Sequence, residues 1–218
     1  MDLFEALYTT RAMRRLRPDP IPSDVQARIL DAAVRAPSAT NTQEWRFLLV
    51  DDPAVKAVLA PLYQDSIAQL FGVMYKDRID AATADPEHPD SVAMFRMQRS
   101  VQYLADHFEE VPLYLFGFVR GDTSGGSIYP AIWSAMLAAR ALGVGSALTS
   151  IMGMLHRDEL LTSLGVPSEE GWVCSCTVPF GYPAGRWGVA QRRAVHEVAF
   201  RNQWGTPVGF EVPAPLWP

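Results

Sequence analysis

The segment Ala36-Pro37-Ser38-Ala39-Thr40-Asn41-Thr42-Gln43-Glu44-Trp45-Arg46-Phe47 joins two patterns of different period. Before it, Val25, Ile29, Ala32 and Ala33 recur at helical spacing, which predicts a helix from Asp24 to about Arg35 with Ser23 as its N-cap. After it, Trp45 to Val50 is a short apolar run ended by Asp51-Asp52-Pro53, the signature of a strand. Residues 36–43 between them are polar and turn-forming.

The same alternation continues outward. Asp2 to Thr9 predicts a short helix, and Ala54 to about Ala60 another. From Leu62 to His107 the pattern is helical but irregular, interrupted by Asp85-Pro86-Glu87-His88-Pro89-Asp90, and suits a lid. Val111 to Val119 reads as a strand buried on both faces. Ile128 to Leu142 reads as a core helix stopped by Gly143, and His156 to Leu164 as a further helix. Trp172 to Val178 lies in a strand, where alternation predicts Cys174 and Cys176 on one buried face. Strands separated by helices, with few hairpin signals, predict an α/β or α+β fold with helices covering a central sheet.

A chain of 218 residues can bury a core without staples. Its net charge of -5 argues against a nucleic-acid or anionic-membrane partner. The N-terminus shows no basic or apolar signal region, so a soluble, cytoplasmic protein is expected. Lys56 and Lys76 are the only lysines among 19 basic residues, so any phosphate site would be built from arginine forks.

Four histidines scattered along the chain make no metal motif, and none is expected. Gly143-Val144-Gly145 follows a helix rather than a strand and lacks a third glycine, so it fails the dinucleotide test. There is no P-loop and no Gly-x-Ser-x-Gly elbow. An enzyme without these would rely on a bound cofactor. Arg11-Ala12-Met13-Arg14-Arg15-Leu16-Arg17 and Arg192-Arg193 are solvated surface or, brought together, a bidentate phosphate clamp. The 37–43 loop is an ordinary connection or a set of hydroxyls and amides for a heterocycle edge.

These blocks together resemble the nitroreductase family. The resemblance lies in Thr10 to Leu16 followed by Pro18-Asp19-Pro20, in Ile29 to Ser38, and in Asn41-x-Gln43-x-Trp45. It continues through Leu137 to Gly145, Gly181-Tyr182-Pro183 and Arg192-Arg193. The resemblance implies an α+β fold with a central, mostly antiparallel sheet flanked by helices. It implies one domain over 1–218, with 61–109 as helical lid and 184–218 as a C-terminal arm exchanged in a homodimer. It implies FMN as cofactor and NADPH or NADH as reductant of a small-molecule acceptor: a nitroaromatic, quinone or activated alkene. The flavin would carry the chemistry, with no catalytic side chain. Arg11, Ala12, Met13 and Arg14 would approach the phosphate and ribityl chain, completed by Arg192 and Arg193. Pro37, Ser38, Ala39, Asn41 and Gln43 would reach the flavin from the other subunit, and Leu148, Thr149, Ser150 and Ile151 would lie against its ring. Phe71, Tyr75, Phe95 and Tyr103 are candidates for lining the substrate pocket. Ala12, Glu44 and Trp133 depart from the family's usual residues. With them come two further possibilities: a flavin-sequestering protein without turnover, and a specialised dehalogenation, flavin-destroying or dehydrogenation reaction.

Overall fold

A computed structural model describes residues 1–217; Pro218, the end of the expected arm, lies outside the described residues. The chain divides into two compact units, residues 12–186 and residues 1–11 with 187–218. The smaller unit holds α1 (Leu3–Thr9), capped by the Asp2 carboxylate, which accepts from Glu5 N at 2.8 Å. Its C-terminal part is irregular, with a turn in which Arg201 N donates to Thr206 O at 3.0 Å.

The larger unit is built on a four-stranded sheet. In chain order its elements are α2 (Ser23–Ala33), β1 (Trp45–Val50), α3 (Pro53–Gln69), α4 (Lys76–Ala84), α5 (Pro89–Asp106), β2 (Leu113–Val119), α6 (Ile128–Ala141), β3 (Gly145–Ser146), α7 (Ile151–Leu155), α8 (Arg157–Ser163) and β4 (Val173–Gly181). The strand order is β1-β2-β4-β3, and every pair is antiparallel. Every residue of β2 is buried because helices cover both faces. On one face Tyr114, Phe116 and Phe118 meet Leu59, Tyr63 and Ile67 of α3 and Leu104 of α5. On the other, Leu113, Leu115 and Val119 meet Ile29 of α2 and Ile128, Ile132 and Ala135 of α6. The unbroken apolar run of β2 is thus the sequence record of a two-sided core.

Three expectations are corrected. The helix beginning at Pro53 does not stop near Ala60 but runs to Gln69, through Pro61. Pro61 removes one ladder donor, at a cost of about 3 kcal/mol. Burial of Tyr63, Ser66 and Ile67 beyond it outweighs that loss. Ser23 is the first helical residue rather than the cap: Pro22 stands at the cap position, without a side-chain hydrogen bond. The two cysteines face opposite ways. Gly117 pairs with Cys176 but Phe118 pairs with Cys174, leaving Ser175 as a bulge that inverts the alternation. Cys174 enters the α3 side of the core and Cys176 the α6 side. Burial pushes both thiols up to about 12, so they stay protonated at neutral pH.

Lys56, one of the two lysines, is buried and donates to Glu109 O at 2.8 Å and Val111 O at 2.9 Å, tying α3 to the turn before β2. The Ile128–Ala141 run is the core helix α6, and among the described residues no helix is long and apolar enough to cross a membrane. The start of α6 is held by Asp122, which accepts from Ser127 N at 2.8 Å, Ile128 N at 3.1 Å and Gly126 N at 3.0 Å. Desolvation pushes the Asp122 carboxyl pKa up, but these N–H donors and Ser124 outweigh it, and it lies below the usual carboxylate value. A lowered folded-state pKa means the stabilisation is present at neutral pH and is lost as pH falls through that lowered value. Asp122→Asn should therefore lower stability by about 0.5–2 kcal/mol at pH 7. The gap in melting temperature between the variant and wild type should close as the pH is taken below the ordinary carboxylate range.

Candidate functional site

The arginine-bearing segment is not a free loop. Ala12 bridges Ser146 in parallel fashion, and Met13 N donates to Ser146 O at 2.8 Å. Arg17 N donates to Tyr182 O at 2.8 Å, and Ala184 N donates to Arg15 O at 2.9 Å. The segment thereby extends the sheet beyond β3. Two glycines make this approach possible. A Cβ on Gly145 would stand 3.0 Å from Met13 Cβ, and one on Gly181 would stand 2.9 Å from Leu16 Cβ.

The four guanidinium groups of the cluster separate into roles. Arg15 lies over the ring of Tyr103 at 4.1 Å. Arg17 lies over Tyr182 at 5.6 Å and pairs with Asp19 at 3.3 Å. Arg11 is exposed and belongs to the smaller unit. Arg14 is half-buried; burial pushes its pKa down, and Tyr63 pushes it the other way. No ion pair or hydrogen bond of the Arg14 side chain is formed among the described residues. A desolvated cation without a partner is unfavourable and calls for an anion.

Beside this segment lies 148–151. Thr149 N donates to Thr177 O at 3.0 Å, and Thr177 N returns the bond to Thr149 O at 2.7 Å. Leu148 is exposed, Thr149 and Ser150 are half-buried, and Ile151 is buried at the start of α7. Burial pushes the Tyr63 phenol up to about 12, with the Arg14 charge and Thr149 acting the other way. Tyr63 sits in the irregular 62–107 stretch, and no spacing in the sequence singles it out; its part is visible only through the packing of α3.

The 37–43 loop stands elsewhere. It enters β1 at the opposite edge of the sheet from Ala12 and Ser146. Four interstrand spacings of about 4.8 Å put β1 roughly 19 Å from the arginine segment. Within the loop, Ala39–Asn41 forms a single 3-10 turn. Thr40, Asn41 and Gln43 have φ of 48°, 58° and 53°. Asn tolerates this left-handed region, but Thr and Gln do so at a cost, and such strain gathers at binding sites. Ser38 Oγ accepts from Gln43 N at 3.2 Å, and Ser127 Oγ accepts from Ala39 N at 3.3 Å. Pro37, Ala39, Asn41 and Gln43 are exposed and Ser38 half-buried.

Chain elements that fold alike do not by themselves assign a family, but the match along the chain does. Residues 7–182 match the Nitroreductase family. The chain belongs to the nitroreductase family. A relative named NADH dehydrogenase, from Thermus thermophilus, is 32% identical over 189 residues, spanning 79% of this chain and 90% of its own. Among solved structures, this nitroreductase-family chain superposes on oxidised iodotyrosine deiodinase bound to FMN and 3-iodo-L-tyrosine. The TM-score is 0.71 at 20% identity, over 93% of this chain and 99% of the other. It also superposes on an FMN-dependent nitroreductase from Mycobacterium smegmatis in complex with NADPH, with a TM-score of 0.63 at 20% identity, over 91% and 97% of the two chains. The α+β fold and its antiparallel sheet are those of FMN-binding nitroreductases.

The family departures have physical counterparts. Glu44 pairs with Arg120 at 2.8 Å, and Arg120 in turn lies over the Trp172 ring at 5.0 Å. Trp133, on α6, is 41% exposed. The buried stripe of α6 runs through Ala131, Ile132, Ala135, Met136 and Ala139, and position 133 falls off it. Of the four aromatics expected to line a substrate pocket, Phe71 is buried edge-on to Tyr75 at 6.2 Å, and Phe95 and Tyr75 are half-buried. Tyr103 is stacked on His107 at 4.0 Å as well as under Arg15. In the smaller unit Arg193 pairs with Glu197 at 3.2 Å, and Arg192 donates to Gln191 O at 2.8 Å.

Proposed function

We propose that this protein is an NAD(P)H-dependent FMN oxidoreductase, working as a homodimer, that reduces a nitroaromatic, quinone or activated alkene. The observation that carries the reading is Arg14, a half-buried guanidinium without an anionic partner among the described residues, on the segment bonded to Ser146 just ahead of Leu148–Ile151. The donor set suits FMN: cation and backbone on one sheet edge, hydroxyl and amide groups in the strained 37–43 loop. FMN, when bound, supplies hydride transfer from NAD(P)H to an acceptor in a ping-pong cycle.

The chain's own part is to bind and to orient. Ala12 to Arg14 face the polar side of the cofactor, Arg14 neutralising negative charge where it develops. Leu148, Thr149, Ser150 and Ile151 back the ring. Because the 37–43 loop stands at the far sheet edge, it serves the site of a second copy, which is the support for a homodimer. The phosphate contacts of Arg11, Arg192 and Arg193 and the exchange of the C-terminal arm rest on the family resemblance. Tyr75 and Phe95, half-buried in the lid, are the aromatic side chains left to meet an acceptor.

The test is an anaerobic absorbance titration of the FMN-loaded protein. Flavin bands should bleach with NADPH or NADH and recover on adding a nitroaromatic or quinone. Bands that bleach with neither nucleotide would replace this reading with a flavin-sequestering protein, and failure to bind FMN at all would remove both.

A further inference from the structure

The ring of Tyr103 has both faces occupied. The Arg15 guanidinium lies over it at 4.1 Å from the centroid, and the His107 ring is stacked on it at 4.0 Å with the planes 15° apart. Two groups at these separations cannot share one face, so they take opposite faces. His107 follows Tyr103 by about one turn at the end of α5, and its Nδ1 donates to Tyr103 O at 2.8 Å, which fixes the imidazole against the phenol. Arg15 is exposed, and its side chain makes no ion pair or hydrogen bond among the described residues, so the ring is what holds its guanidinium.

The main chain of Arg15 belongs to the segment that extends the sheet. Met13 N donates to Ser146 O, Arg15 O accepts from Ala184 N, and Arg17 N donates to Tyr182 O. Every second residue bonds outward, which is the period of an extended chain. Successive side chains of such a chain point to opposite sides. Holding Arg15 toward α5 therefore turns Arg14 the other way. A guanidinium meets an anion with two parallel bonds only in one orientation, so the direction of Arg14 matters to what it can bind.

We propose that Tyr103 is a positioning residue, resting on the FMN reading above: its ring clamps Arg15 and so aims the neighbouring Arg14 at the cofactor, instead of lining the acceptor pocket. The aromatic face does this work, and the hydroxyl has no part in it. The clamp runs from the end of the lid helix α5 to the sheet edge that carries Arg14.

The experiment is a double-variant cycle on Arg15 and Tyr103, with FMN affinity measured by quenching of flavin fluorescence. Tyr103→Leu and Arg15→Gln should each raise the FMN dissociation constant about three- to tenfold. The double variant should bind no more weakly than the weaker single, because both changes remove one contact. Tyr103→Phe keeps the ring and should bind FMN as wild type does. With each variant saturated with FMN, the KM for the quinone menadione should stay at the wild-type value. A Tyr103→Leu protein with wild-type FMN affinity would overturn the proposal, as would losses that add in the double variant. A raised menadione KM at unchanged FMN affinity would return Tyr103 to the acceptor pocket. Weak FMN binding by Tyr103→Phe would place the contact on the hydroxyl and overturn the proposal too. Should Tyr103→Leu fail to fold, Arg15→Gln, a change at an exposed position, carries the test. A wild-type protein that binds no FMN would instead remove the reading on which the proposal rests, and the proposal with it.

Discussion

Arg14→Met should weaken FMN binding by about tenfold to a hundredfold and at the same time raise the melting temperature of the flavin-free protein. The first effect follows from the strength of charged hydrogen bonds, about 1.5–3 kcal/mol each. The second follows from the state of Arg14 without a ligand. Its guanidinium is half-buried and finds no anion among the described residues. Replacing an uncompensated charge by an apolar side chain of similar length removes a desolvation penalty. A gain of about 1 kcal/mol would appear as a rise of roughly 2–4 °C in a chain of this size. The opposed signs are what separate a binding residue from a packing residue. Unchanged FMN affinity together with a lower melting temperature would make Arg14 part of the core and take away the observation on which the functional proposal stands. Calorimetric titration and a thermal melt of the apoprotein decide it.

Gly153→Ala should destabilise the protein by about 3 kcal/mol, the upper end of what overpacking usually causes. A Cβ at this position would stand 2.5 Å from the carbonyl oxygen of Cys174, a backbone atom of the bulged strand that cannot turn aside. The strain has two outlets. Helix α7 can lift from β4, or the bulge at Ser175 can be pulled out of register. Lifting α7 would also disturb Leu148 to Ile151, which lead directly into it. FMN affinity should therefore fall together with stability, in contrast to Arg14→Met, where the two move apart. Gly72, on the exposed turn after α3, is the control, since a Cβ there meets nothing within 4 Å. If Gly153→Ala melts like wild type, α7 is not pressed on β4 as described.

Local chemistry was enough to read much of this protein. The helical period of residues 24–33 gives a helix because it buries one face, and the short apolar runs 45–50 and 113–119 give strands, the second buried on both faces. The polar 37–43 loop and the 11–17 arginines were legible as unusual composition in aperiodic segments, and their order along the chain carried the family. Other features depend on contacts between distant residues, which no local pattern encodes. Helix α3 passes through Pro61 because a core face beyond it gains more than one lost hydrogen bond. The cysteines part company because a single bulged residue inverts a two-residue period. Tyr63 looks like any helix position until α3 is laid against Phe108 and the strand β2. The separation of two neighbouring segments is also invisible in the chain order: residues 11–17 and 37–43 are close in sequence, yet the sheet carries them to opposite edges. Composition and periodicity act over a few residues and report which faces are buried. Strand order, register and the pairing of a lone charge are settled by the whole fold, where burial of many side chains outweighs any single local preference.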